Sequence, residues 1–141
     1  MSLHGAGMIL PSLAFDSGAP VDFSNAVSKI RVQTKTADYT VLPSDSGTWF
    51  VTYGDTGAIV YTLPTVPTKG LHYWFFQSVD QDITISSAAA DGIITFNDLD
   101  ADSVIASTTS GQIGALFIVF ADGNIWNAAC ISNGTTLTVT T

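Results

Sequence analysis

Leu71-His-Tyr-Trp-Phe-Phe76 and Ala115-Leu-Phe-Ile-Val-Phe-Ala121 decide the fold. Both runs are short and rich in aromatic or β-branched side chains, so both read as strands rather than helices. Successive side chains of a strand point to opposite faces. The first run therefore sets Leu71, Tyr73 and Phe75 on one face and His72, Trp74 and Phe76 on the other, while the second is apolar on both. A strand of an antiparallel sheet normally keeps one wet face and alternates. The second face of these two strands must be covered by something.

Around them the chain reads as strands and turns. Ile30, Val32 and Thr34 alternate with Arg31, Gln33 and Lys35, the pattern of a half-solvated strand. Trp49, Val51 and Tyr53 share a face opposite Thr48 and Thr52, and Ile59, Tyr61 and Leu63 point one way. Asp82–Ser86 and Thr136–Thr140 alternate cleanly, and further short strands are expected at Ile93–Phe96, Val104-Ile105 and Asn124–Ile131. Gly54-Asp-Thr-Gly57 has the composition of a hairpin turn, and the acidic run Asn97–Ser103 that of a solvated turn. About ten short strands at this spacing predict an antiparallel β-sandwich or jelly-roll-like barrel.

Composition agrees. The 141 residues suit one domain, and 46% are hydrophobic, enough for a core. All twelve acids are Asp and none is Glu, which favours turns over helices. Charged residues are only 11%, so 18 Thr and 14 Ser do much of the solvating. The net charge is −8 with four basic residues, three of them at Lys29, Arg31 and Lys35. That balance disfavours nucleic acid, which is bound by displacing counterions from phosphates, and anionic membranes alike. The longest unbroken apolar run, Ala115–Ala121, falls far short of a spanning helix. The first ten residues lack the basic start and sustained apolar stretch of a secretory signal. One cysteine, Cys130, forms no internal disulfide.

Residues 1–28 differ from the remainder. Gly5, Gly7, Pro11, Gly18 and Pro20 separate apolar patches at Met8-Ile9-Leu10 and Leu13-Ala14-Phe15, with no sustained period. This reads as an extended arm that lies on a surface or, alternatively, as a loosely docked terminus, preceding a β-domain over 29–141.

Several short strings match known chemistry in part. Asp55-Thr-Gly-Ala58 matches the core of retroviral-type aspartic proteases, where one such carboxylate per subunit forms a shared-proton dyad. Tyr53-Gly54 replace the aliphatic residues expected before it, so a turn is the better account. Asp45-Ser-Gly47 lacks the glycines and histidine motif of a serine protease and reads as a turn with side-chain hydrogen bonds. Asp98, Asp100 and Asp102 alternate as Ca²⁺-loop oxygens do; the Gly and Glu of an EF-hand are absent, which leaves a non-EF Ca²⁺ site as the alternative to a solvated acidic turn. Two His and one Cys give no transition-metal spacing, and no cofactor is expected. Trp49 and Trp126 are expected in the core, while Trp74 falls on the unclaimed face, at a subunit contact or a sugar-stacking site.

The string Ala37-Asp-Tyr-Thr-Val-Leu-Pro-Ser-Asp-Ser-Gly47, followed by Phe50, Thr62-Leu-Pro64, Gly70-Leu-His-Tyr73, Phe75 and Asp122-Gly-Asn-Ile-Trp126, resembles a β-rich module of tailed-bacteriophage structural proteins. Such modules occur in capsid decoration, head-fibre and some tail-fibre proteins. The resemblance covers about residues 36–131. It implies a non-enzymatic virion protein, often a homotrimer, set on the capsid surface against the major capsid protein. In that setting Met8, Ile9, Leu10, Leu13 and Phe15 of the arm are the expected capsid contacts, and His72, Trp74 and Phe76 the expected subunit contact. The alternatives are a receptor- or glycan-binding tail-fibre module using Trp74 and, more remotely, a dimeric aspartic protease using Asp55.

Overall fold

The computed structural model describes residues 28–107, 113–131 and 137–141. Its strands are β1 (Arg31–Thr34), β2 (Tyr39–Thr40), β3 (Thr48–Val51), β4 (Ile59–Thr62), β5 (His72–Phe76), β6 (Ile83–Ser86), β7 (Ile93–Thr95), β8 (Asp98–Ala101), β9 (Ser103–Ala106), β10 (Leu116–Ala121), β11 (Trp126–Ile131) and β12 (Leu137–Thr140), with one 3-10 turn at Pro43–Asp45. They form two open sheets, a seven-stranded one in the order β1-β3-β5-β10-β11-β7-β8 and a five-stranded one in the order β12-β9-β6-β4-β2. The architecture is all-β and sandwich-like, without barrel closure. Residues 1–27 of the expected arm lie outside the described residues.

The expected antiparallel pairing holds for only part of the molecule. From β1 to β6 the chain alternates between the sheets at every step. Neighbours within each sheet are therefore one full circuit apart and run parallel: β1 with β3, β3 with β5, β2 with β4, and β4 with β6. Gly54-Asp-Thr-Gly57 thus carries the chain from one sheet to the other and closes no hairpin. The same turn chemistry serves both purposes, because Gly and Asp relieve backbone sterics wherever the next strand goes. Antiparallel hairpins appear later, at β7–β8 and β10–β11. The acidic run read as a turn becomes β8, paired with β7.

Between the sheets lies an aromatic core. Phe50 stacks on Phe75 with ring centroids 5.3 Å apart, and Tyr61 of the opposite sheet meets Phe75 at 4.7 Å. Tyr73 packs on Trp126 at 5.8 Å, and the Trp126 indole donates to the Pro64 carbonyl at 3.1 Å. Trp126 thus satisfies its N–H while burying its ring, as a core tryptophan must.

The amino-terminal edge inverts the usual pattern. In β1 it is Arg31 and Gln33 that face the sandwich, and Lys35 follows them inward, whereas Ile30 and Val32 are exposed. Arg31 donates to Thr48 Oγ1 and to the carbonyls of Ser44 (2.8 Å) and Ser46 (3.0 Å). Lys35 Nζ sits 3.4 Å from the centre of the Tyr39 ring. Arg31 and Gln33 staple β1 to the turn before β3, and Lys35 packs on β2. Asp45 anchors that turn: it is buried and accepts from the Tyr39 hydroxyl (2.9 Å), the Leu42 N–H (3.0 Å) and Gln33 Nε2 (3.4 Å). Gly47 then takes φ +83°, a value side chains resist, and donates its N–H to the His72 carbonyl at 2.9 Å.

Candidate functional site: the outer face of the large sheet

Register places the unclaimed side chains in three rows across the outside of the seven-stranded sheet. One row runs Val32, Trp49, Trp74, Ile118, Ala129, and the next Thr34, Val51, Phe76, Leu116, Ile131. The third holds His72, Phe120, Asn127 and Ile94. On β1, β3, β5, β10 and β11 this face carries no charged side chain, although the chain as a whole bears −8. It is open at Val32 (52% exposed), Phe120 (49%) and Ile131 (62%). Contiguous apolar area of this kind marks an interaction surface far more often than isolated exposed side chains do.

At its centre Trp49 and Trp74 lie nearly parallel, 5.5 Å apart and tilted by 12°, with the His72 ring edge-on to Trp74 at 5.0 Å. His72 Nδ1 lies 2.8 Å from the Gly70 carbonyl, which fixes the imidazole at the rim. Trp74 spends one ring face on Trp49, an arrangement that rigidifies both indoles.

The structure thus brings His72, Trp74 and Phe76 together on one side of β5, opposite Tyr73 and Phe75. It corrects the placement of Trp49, which belongs to this outer row and not to the core: Thr48, Phe50 and Thr52 are the buried side of that strand. Leu116, Ile118, Phe120 and Ile131 join the face from β10 and β11. The signal for Leu116, Ile118 and Phe120 was the doubly apolar run itself, but only the register shows that it lies beside His72, Trp74 and Phe76, with Ile131 added from β11. Met8, Ile9, Leu10, Leu13 and Phe15 lie outside the described residues.

The carboxylates of the remaining chemical strings take local hydrogen bonds. Asp55 Oδ1 accepts from the N–H groups of Thr56 (2.7 Å) and Gly57 (3.1 Å), the work of a turn carboxylate. Burial, helped by the Asp55 charge, pushes the Tyr61 hydroxyl far above its ordinary pKa. Asp98 Oδ1 accepts from the Asp100 N–H at 2.9 Å and Asp102 Oδ1 from the Asp91 N–H at 2.7 Å. No cluster of three metal-ligating side chains exists among the described residues. Burial raises the Cys130 thiol to about 11. A groove of about 330 Å³ is lined by Val41, Leu42, Pro43, Leu63, Pro64 and Val66 with threonines and one alanine, and holds no titratable group.

No protein-family model matches the chain, and no curated protein matches it.

Proposed function

We propose that this chain is a non-enzymatic structural protein of a tailed-phage virion: a capsid decoration, or cement, subunit that self-associates and binds across capsomer joints. The observation that carries this reading is the uncharged five-strand stretch, β1-β3-β5-β10-β11, of the outer face on an otherwise acidic body. The phage-module resemblance of residues 36–131 supports it. Burying apolar area contributes about 25 cal/mol per Å², so contacts of several hundred Å² repeated over a lattice raise the force needed to part capsomers. In this reading the segment containing Met8, Ile9, Leu10, Leu13 and Phe15 supplies capsid contacts, either by adding a strand to an exposed edge or by filling grooves between capsomers. His72, Trp74 and Phe76 lie on the face used between subunits.

The test is co-sedimentation of the full chain with undecorated heads assembled from the major capsid protein of the same genome. Saturable binding in proportion to lattice positions, with a higher melting temperature of the head, is expected. Absence of binding at tens of micromolar overturns the reading. Leu10→Asp combined with Phe15→Asp is expected to abolish binding while leaving the β-domain folded.

A further inference from the structure

We infer that the outer face of the seven-stranded sheet is closed by another copy of this chain, with β3 of one copy set against β11 of the next. The inference rests on the self-associating reading above and goes further by assigning the surface and its register.

Charge selects the kind of partner. All twelve acids are Asp, and none stands on the outer side of β1, β3, β5, β10 or β11. Two copies of a chain carrying −8 can meet there without bringing carboxylates together or stranding one in a dry interface. The same face has no lysine or arginine to attract an anionic partner. A neutral, apolar partner fits, and the chain itself presents one.

Shape selects the register. Along the central row the bulky Trp49 lies at one side, on β3, and the small Ala129 at the other, on β11, with Trp74 and Ile118 between. Along the next row Val51 and Ile131 take the same two places. Setting β3 of one copy against β11 of the next puts a large indole over a methyl group and two aliphatic side chains together. Aligned sheets pack about 10 Å apart, which leaves each face about 5 Å for its side chains. Two copies achieve this by stacking about a two-fold axis between β5 and β10. Three achieve it as a three-sided prism: four strands about 4.8 Å apart make a side of about 19 Å, whose centre lies about 5.5 Å from the axis. Five strands by about 17 Å of strand length give roughly 400 Å² in projection per copy. Two such faces total about 800 Å² in projection, and a side-chain relief of about one and a half times that area brings the contact to the lower end of specific interfaces, about 1,200 Å².

The full chain is therefore expected to run in light scattering at two or three times 14.8 kDa. Phe120→Asp with Ile131→Asp, both at positions open to solvent in one copy, is expected to weaken association at least 100-fold and leave the circular dichroism unchanged. On a Cys130→Ser background, Val51→Cys chains mixed with Ile131→Cys chains should form a disulfide on mild oxidation, and neither should do so alone. Within one copy these positions are three strand spacings apart, about 14 Å, beyond disulfide reach. A one-copy mass at 100 µM overturns both the inference and the self-association on which it rests. A multi-copy mass that survives the double Asp variant, or no disulfide between the two introduced thiols, overturns the inference alone.

Discussion

Asp45 shows how a single side chain organises the amino-terminal edge. It is a buried carboxylate satisfied by neutral donors, the Tyr39 hydroxyl, the Leu42 N–H and the Gln33 amide, rather than by a cation. Removing it leaves three partly buried donors without their acceptor, so Asp45→Ala is expected to lower stability by about 1–2 kcal/mol, read as a lower urea midpoint at unchanged slope. Asp45→Asn, which keeps one acceptor, should lose less. The Asp-Ser-Gly signature was legible as a turn with side-chain hydrogen bonds; what it holds together was not, since Arg31 and Tyr39 approach it only through tertiary packing. Two buried groups set a limit in alkali. Burial raises the Cys130 thiol to about 11 and the Tyr73 hydroxyl to about 12. Folding favours their protonated forms, so their contribution is complete below the ordinary pKa values near 9 and 10 and is lost as pH rises through 11 and 12. A urea midpoint unaffected by these groups from pH 6 to 8 and falling above pH 9 is expected, with Cys130→Ala removing the earlier part of the fall.

Among the elements, β1, β3, β5 and β10 were all legible as strands, but the inward side of β1 and β3 was not. A run apolar on both faces has one reading, whichever side turns inward. In β1 and β3 the choice of side is set by partners distant in sequence: Arg31 faces in because Thr48 and the Ser44 and Ser46 carbonyls accept from it. Trp49 faces out because Phe50 fills the core. Hairpins and crossings between sheets were equally opaque, since both use Gly and Asp. The β7–β8 hairpin turns at Phe96-Asn97 with φ of +40° and +69°. Such turns favour Asn and Gly, whereas a bulky residue at positive φ is strained. Phe96 is 46% exposed, so little packing opposes a change there. Phe96→Asn is expected to stabilise the fold by about 0.5–1 kcal/mol, checked by the denaturation midpoint.

For the whole molecule, the division between an acidic body and a neutral face governs behaviour in solution. Association of copies brings net negative charges closer everywhere except at the contact, and salt screens that repulsion. Self-association is therefore expected to strengthen between 20 mM and 500 mM NaCl, the opposite of an interface held by ion pairs; sedimentation velocity across that series checks it. Phe75→Ala, which opens a cavity where three other rings meet, is expected to cost about 3–5 kcal/mol and to leave little folded protein at 37 °C.

The circuit-wise winding of residues 31–86 has a mechanical consequence. β1 lies at the sheet edge beside β3, parallel to it through four register pairs. A pull on residue 28 directed along the strand loads those ladder bonds together, in shear, where a hairpin pulled at its open end would unzip rung by rung. Only after that pair slides does tension reach the next coil of the thread. Force applied at residue 28 thus meets a joint that yields in steps, each step releasing one turn of the winding.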